Sequence, residues 1–157
     1  MGLTSGTSAT TKPASRKVAA RSFSKKWAGR GYEKGDTPSF WLELLRDVVG
    51  MEDVTTNVLF EQRTSRRGFI DVTIADAKTI IEQKSLGVDL DKPEERQGVM
   101  VTPFEQARNY ANTLPNSQRP DYIIVCDFNI FRIHNLNKEN PESDYIEFTL
   151  SELPDQL

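Results

Sequence analysis

The stretch from Gly68 to Lys84, GFIDVTIADAKTIIEQK, constrains this chain more than any other. From Phe69 to Ile74 the residues alternate, with Ile70, Val72 and Ile74 on one side and Phe69, Asp71 and Thr73 on the other. That two-residue period is the mark of a strand with one face in a core. Ala75 and Asp76 supply a turn, and the returning run Lys78–Lys84 is rich in Thr and Ile, residues that favour extended backbone. The return strand sets Ile80, Glu82 and Lys84 on a common face. Antiparallel pairing around this turn makes the numbers of facing residues sum to about 151 to 153. Asp71 then lies opposite residues 80–82, within reach of Glu82. Two carboxylates and an ammonium group at one sheet end are costly without an occupant, because close like charges repel until one takes up a proton. A divalent cation resolves the repulsion, and oxygen ligands suit Mg2+ or Mn2+ better than zinc, which prefers His and Cys. The competing reading is a solvated outer face of a hairpin.

Length and charge narrow the setting. One compact domain fits 157 residues, and 37% hydrophobic with 27% charged residues is ordinary for a globular protein. No apolar run is long enough to span a bilayer, so no membrane partner is expected. The basic N-terminus has no apolar segment after it, which reads as no signal peptide. Cys126 is the single cysteine, which excludes an internal disulfide or a cysteine zinc site, and together these features point to the cytoplasm. Residues 1–35 hold eight Lys/Arg and one acid, whereas residues 36–157 hold twelve Lys/Arg and 22 acids. A basic arm on an acidic body suits a polyanion approached from one side, and equally suits a solubilising tail.

Along the chain, residues 1–20 are Ser, Thr, Ala and Lys with little to bury, and read as a disordered tail. Residues 21–35 mix Lys25, Lys26, Arg30 and Lys34 with Phe23, Trp27 and Tyr32, which reads as a segment docking its aromatics or as a phosphate-contacting strap. Thr37 and Pro38 open a helix as N-cap and first residue, Trp41, Leu44, Leu45 and Val48 form its buried stripe, and Gly50 closes it. Glu43 lies off that stripe. Val54–Thr64 reads as a strand, and the turn that follows gathers Arg63, Arg66 and Arg67, which meet phosphate or stay solvated. Residues 85–101 form a long polar loop placed to cover the Lys84 strand end. Thr102, Pro103 and Glu105 make a capping box for a helix to about Leu114, with Phe104, Ala107, Ala111 and Leu114 inward and Gln106 and Tyr110 sharing another face beside Arg108. Asp121–Phe128 has an unbroken apolar centre, as in a strand covered on both sides, and makes Cys126 a core residue. Ile130–His134 and Tyr145–Leu150 read as further strands, with His134 a surface or satisfied residue, and Ser151 as a helix start.

Asp71 followed by Glu82-Gln83-Lys84 resembles the PD-(D/E)xK nuclease superfamily, with Ile70 where the proline of the name stands. The element order, helix, three strands, helix, two strands, is the core order of that superfamily. The resemblance therefore implies an α/β, restriction-endonuclease-like fold with a mixed central sheet flanked by helices. It implies that Asp71, Glu82 and the Gln83 carbonyl hold Mg2+, that Lys84 positions the attacking water, and that Glu43 is an accessory acid. The pair Gln106 and Tyr110 resembles a further motif that orients the lysine or the DNA backbone, and Lys25, Lys26, Arg63, Arg66, Arg67 and Arg108 stand as candidate DNA contacts.

The phrases KKWAGRGYEKGDTPSFWLELL, IEQKSLGVDLDKP and TPFEQARNYANTLP resemble more closely the N-terminal nuclease part of fused type IIL (type IIG-like) restriction–modification enzymes. This resemblance covers residues 21–157 and implies a nuclease domain over 21–150 followed from 151 by the start of a helical connector. Its implied partners are double-stranded DNA and, in a longer parent chain, methyltransferase and target-recognition domains. The S-adenosylmethionine chemistry of such enzymes belongs to the methyltransferase, for which this sequence carries no motif. The readings left open are a non-catalytic DNA-binding or docking module, a nuclease for junctions or RNA, and a plain structural domain.

Overall fold

The computed structural model of the chain describes residues 13–63 and 69–157. The expected turn with Arg66 and Arg67, and the side chain of Arg63, lie outside the described ones, as do residues 1–12.

The hairpin anchors a mixed sheet. Strand β1 (Val58–Arg63) pairs with β2 (Phe69–Ile74), and β2 pairs antiparallel with β3 (Thr79–Gln83) in the register Val72 with Ile81 and Ile74 with Thr79. That register lies at the upper end of the expected range, because the turn takes Ala75 through Lys78 and Lys78 adopts φ 48°. After β3 the chain makes the small hairpin β4 (Glu94–Arg96) and β5 (Val99–Val101), then helix α4 (Pro103–Asn112). The crossover through α4 returns the chain parallel to β3 as β6 (Tyr122–Cys126), and β7 (Ile130–Asn135) and β8 (Tyr145–Thr149) follow antiparallel. Among the described residues the sheet order is β1-β2-β3-β6-β7-β8. This is the mixed α/β architecture expected from the element order.

Helices cover both faces. On one lie α1 (Pro13–Trp27) and α2 (Glu33–Glu43), the latter running on through a π-helical turn (Leu44–Val48) that Gly50 closes at φ 81°. Phe23, Trp27, Phe40, Trp41, Phe128 and Phe131 pack there as one aromatic cluster, with Trp27 stacked on Phe128 at 6.2 Å and Phe40 set edge-on to Phe128 at 4.9 Å. Each such ring contributes about 1.5–3 kcal/mol by burial, which makes this layer the anchor of the fold. On the other face α4 lays Phe104, Ala107 and Ala111 on Ile80, Ile123 and Val125. The expected capping box is present: Thr102 Oγ1 accepts from the Glu105 amide, and Glu105 Oε1 accepts from the Thr102 amide at 2.8 Å.

Several expectations are corrected. The chain expected to be disordered up to residue 20 is helical from Pro13, because Ala20, Phe23 and Trp27 are buried and Ser24 donates to the Leu150 carbonyl at 3.0 Å. Helix α2 begins at Glu33 and not at Thr37; Thr37 donates its hydroxyl back to the Glu33 carbonyl, which leaves Pro38 inside the helix. Val54–Asn57 is one helical turn, α3, before β1 starts. Ile70 does not share a core with Val72 and Ile74: it packs with the α4 layer and they pack with the aromatic layer. Glu61, opposite Asp71 in β1, has φ 51°, a left-handed conformation that breaks the alternation between the pairs Phe60–Val72 and Gln62–Ile70. Leu150–Gln156 is a 3-10 turn capped by Thr149 and Glu152, with Leu150 and Leu153 in the aromatic core.

Candidate functional site

The break at Asp71 builds the site. Instead of another ladder bond between β2 and β3, the Asp71 carboxylate accepts the Gln83 amide at 2.8 Å. The side chains after it alternate between two environments. Gln83 turns to the helical layer, where its Oε1 accepts from the Trp41 indole at 2.7 Å and its Nε2 donates to the Lys84 carbonyl. Glu82 and Lys84 turn to the α4 side, where they are 4% and 3% exposed. The Lys84 amide donates to the Cys126 carbonyl, so the residue stays tied to β6 past the end of β3.

Lys84 Nζ has three partners: Glu82 Oε2 at 3.4 Å, Glu94 Oε1 at 3.4 Å and Gln106 Oε1 at 3.5 Å. Gln106 Nε2 in turn donates to the Tyr110 hydroxyl at 3.2 Å. Glu82, Lys84, Gln106 and Tyr110 thus form one connected set, which Asp71 adjoins through the Gln83 amide. Glu94 belongs to β4, so the long polar loop does reach over the lysine, folded as a hairpin.

Burial pushes the Asp71 carboxyl up to about 6, against the Gln83 hydrogen bond that pulls it down. Burial also lifts Glu82 well above the usual range, with the Asp71 charge as the next cause. The Glu33 charge, at the start of α2, raises both. Glu33 and Glu61 flank Asp71 in a cleft of about 200 Å3 that Thr37 and Phe60 also line. Among the described residues no three His, Cys, Asp or Glu side chains are grouped to hold a metal ion. Half-buried Asp71 and buried Glu82 nonetheless fit a hard cation, since they offer oxygen donors whose mutual repulsion such a charge would relieve.

Other predicted residues fall elsewhere. Glu43 is bound to Lys26 at 2.7 Å; the α2 acid whose charge bears on the site is Glu33, ten positions earlier at the start of that helix. Arg108 lies over the Phe104 ring and 3.5 Å from Glu142, and Lys25 is exposed on α1. Cys126 is fully buried and its thiol is pushed up by burial, as for a core residue. His134 is buried between Phe104 and Tyr145, with Nδ1 2.7 Å from the Pro141 carbonyl, and burial lowers its basicity. Sequence reasoning missed the Trp41–Gln83 bond and the reach of Glu94; the odd position of Gln83 between two site residues was a signal for the first.

A mixed six-stranded sheet with helices on its faces is the architecture of a restriction-endonuclease-like α/β fold. The family model described as "MmeI, N-terminal domain" matches residues 18–157. The chain belongs to that family, and MmeI is a type IIG restriction–modification enzyme. No curated protein matches the chain, and no solved structure does. No helix among the described residues is long and apolar enough to cross a membrane.

Proposed function

We propose that this domain is the DNA-cutting part of a restriction–modification enzyme, a Mg2+-dependent endonuclease that hydrolyses phosphodiester bonds. The observation that carries the reading is a fully buried carboxylate, Glu82, with half-buried Asp71 on the neighbouring strand, beside a lysine that both β3 and α4 hold in place. Asp71, Glu82 and the Gln83 carbonyl would hold Mg2+ or Mn2+, with Glu33 a further acid near them. When bound, the ion supplies Lewis-acid polarisation of the scissile phosphate and charge stabilisation of the leaving 3′ oxygen. Lys84 orients the attacking water and neutralises charge as it develops on the phosphate. Gln106, steadied by Tyr110, keeps the lysine aimed. The partners are double-stranded DNA and the methyltransferase and target-recognition domains of such an enzyme; S-adenosylmethionine would serve the methyltransferase.

The test is nicking of supercoiled plasmid with Mg2+ and with chelator, for the wild type, Asp71→Ala and Lys84→Ala. Metal-dependent nicking abolished by either substitution is expected. Equal cutting by both variants removes the proposal, and DNA binding indifferent to metal would favour a non-catalytic docking module.

A further inference from the structure

A groove of about 520 Å3 runs between the β4–β5 hairpin and α4, a volume typical of ligand clefts. Arg96 and Val99 form one wall, and Gln106, Asn109, Tyr110 and Asn112 form the other. Gln106 is the residue that reaches Lys84 and Tyr110 steadies it, so the groove adjoins the site. No acid lines it, although acids outnumber bases 23 to 20 in this chain. The cleft beside Asp71 is lined by Glu33 and Glu61, and the cavity beside His134 by Asp91, Glu105 and Glu142. A second acid-free cavity lies by the 75–78 turn, at the far end of the hairpin. Amides, a guanidinium and a phenol are the groups that contact phosphate and sugar without a base preference.

Beside the groove stands Glu94, on the same short strand as Arg96. Its Oε1 is 3.4 Å from Lys84 Nζ and 3.6 Å from Arg96 Nη2. An anionic oxygen between two cations occupies the position a phosphate oxygen would take. Glu82 and Gln106, the other partners of Lys84, sit on β3 and α4, whereas Glu94 is part of a three-residue strand and has a side chain 42% exposed. Glu94 is the partner that can leave.

We infer that the groove between the β4–β5 hairpin and α4 carries the DNA strand leading to the cut, with a backbone phosphate displacing Glu94 from between Lys84 and Arg96. The inference rests on the endonuclease reading, and adds the path of the strand and the group that holds it in the free protein.

The test is metal-free binding of a short fluorescein-labelled duplex by the full chain, followed by anisotropy at one fixed salt concentration. Asn109→Asp and Asn112→Asp each place a negative charge in the groove and should weaken binding about five- to tenfold. Asn137→Asp, an exposed control in the loop after β7, should bind as the wild type does. Glu94→Gln removes the competing anion and should tighten binding about fivefold. Circular dichroism melts verify that all four variants are folded. Binding by both groove variants equal to that of the control overturns the groove while leaving plasmid nicking, and so the nuclease reading, intact. Binding by Glu94→Gln no tighter than wild type overturns the displacement. A folded wild type that binds no DNA overturns both this inference and the reading beneath it.

Discussion

Replacing Asp71 by Asn is expected to make the folded protein more stable at neutral pH, although the residue is at the centre of the site. Burial lifts this carboxyl from its ordinary 3.8 to about 6. At about 1.36 kcal/mol per pH unit, the charged form in the folded state is disfavoured by about 3 kcal/mol. Asn keeps an oxygen to accept the Gln83 amide and drops the charge. Its amide must itself be partly desolvated, so the net gain is about 1–3 kcal/mol. For a chain of this size a gain of about 2 kcal/mol corresponds to about 4–8 °C in Tm. The pH dependence has a fixed sign. The folded state binds this proton more tightly than the unfolded state, so the stability tied to it is complete below about 3.8 and is lost as pH rises through about 6. Thermal melts should therefore separate Asp71→Asn from wild type most widely above about pH 7 and bring them together near pH 4. Saturating Mg2+ should raise the Tm of the wild type and leave the variant where it was. A variant no more stable than wild type at pH 8, with a wild-type curve flat between the two limits, would refute the argument that burial of charge destabilises this site.

Two structural predictions accompany it. Trp41→Phe leaves the buried Gln83 oxygen without its donor and should lower stability by about 1–3 kcal/mol, measured as a drop in the urea midpoint with unchanged slope. Gly31→Ala puts a methyl group 2.3 Å from the Phe128 ring, so the loop before α2 must shift; a loss of about 1–3 kcal/mol is expected, and an unchanged urea midpoint would show that the loop yields freely.

The parts of the molecule legible in the sequence are those whose causes are local. The alternation around Asp71 gave the hairpin and nearly its register, the Thr102–Glu105 box gave the start of α4, and the apolar run through Ile123–Cys126 gave the covered strand. The Asp71, Glu82 and Lys84 set followed from the same alternation. What was illegible depends on distant partners. The Ser-, Ala- and Lys-rich segment of α1 has little of its own to bury and becomes ordered because Trp27 finds Phe40 and Phe128. The acid near the site is Glu33 because α2 starts a turn earlier than its Thr-Pro pair indicates, and Ile70 changes sides next to the left-handed backbone at Glu61 on the paired strand. The polar loop after Lys84 carries no strong strand signal, and its hairpin has Glu94 held by Lys84 and Arg96.

Gln83 makes the Glu82–Lys84 pair and the tryptophan layer mechanically inseparable. Its neighbours on either side point to the α4 side while its own amide is gripped by an indole on the opposite face. Random libraries that repack the first two helices should accordingly yield many well-folded chains without the proposed nicking activity, because an ångström of slack beneath the sheet is passed straight to Glu82 and Lys84.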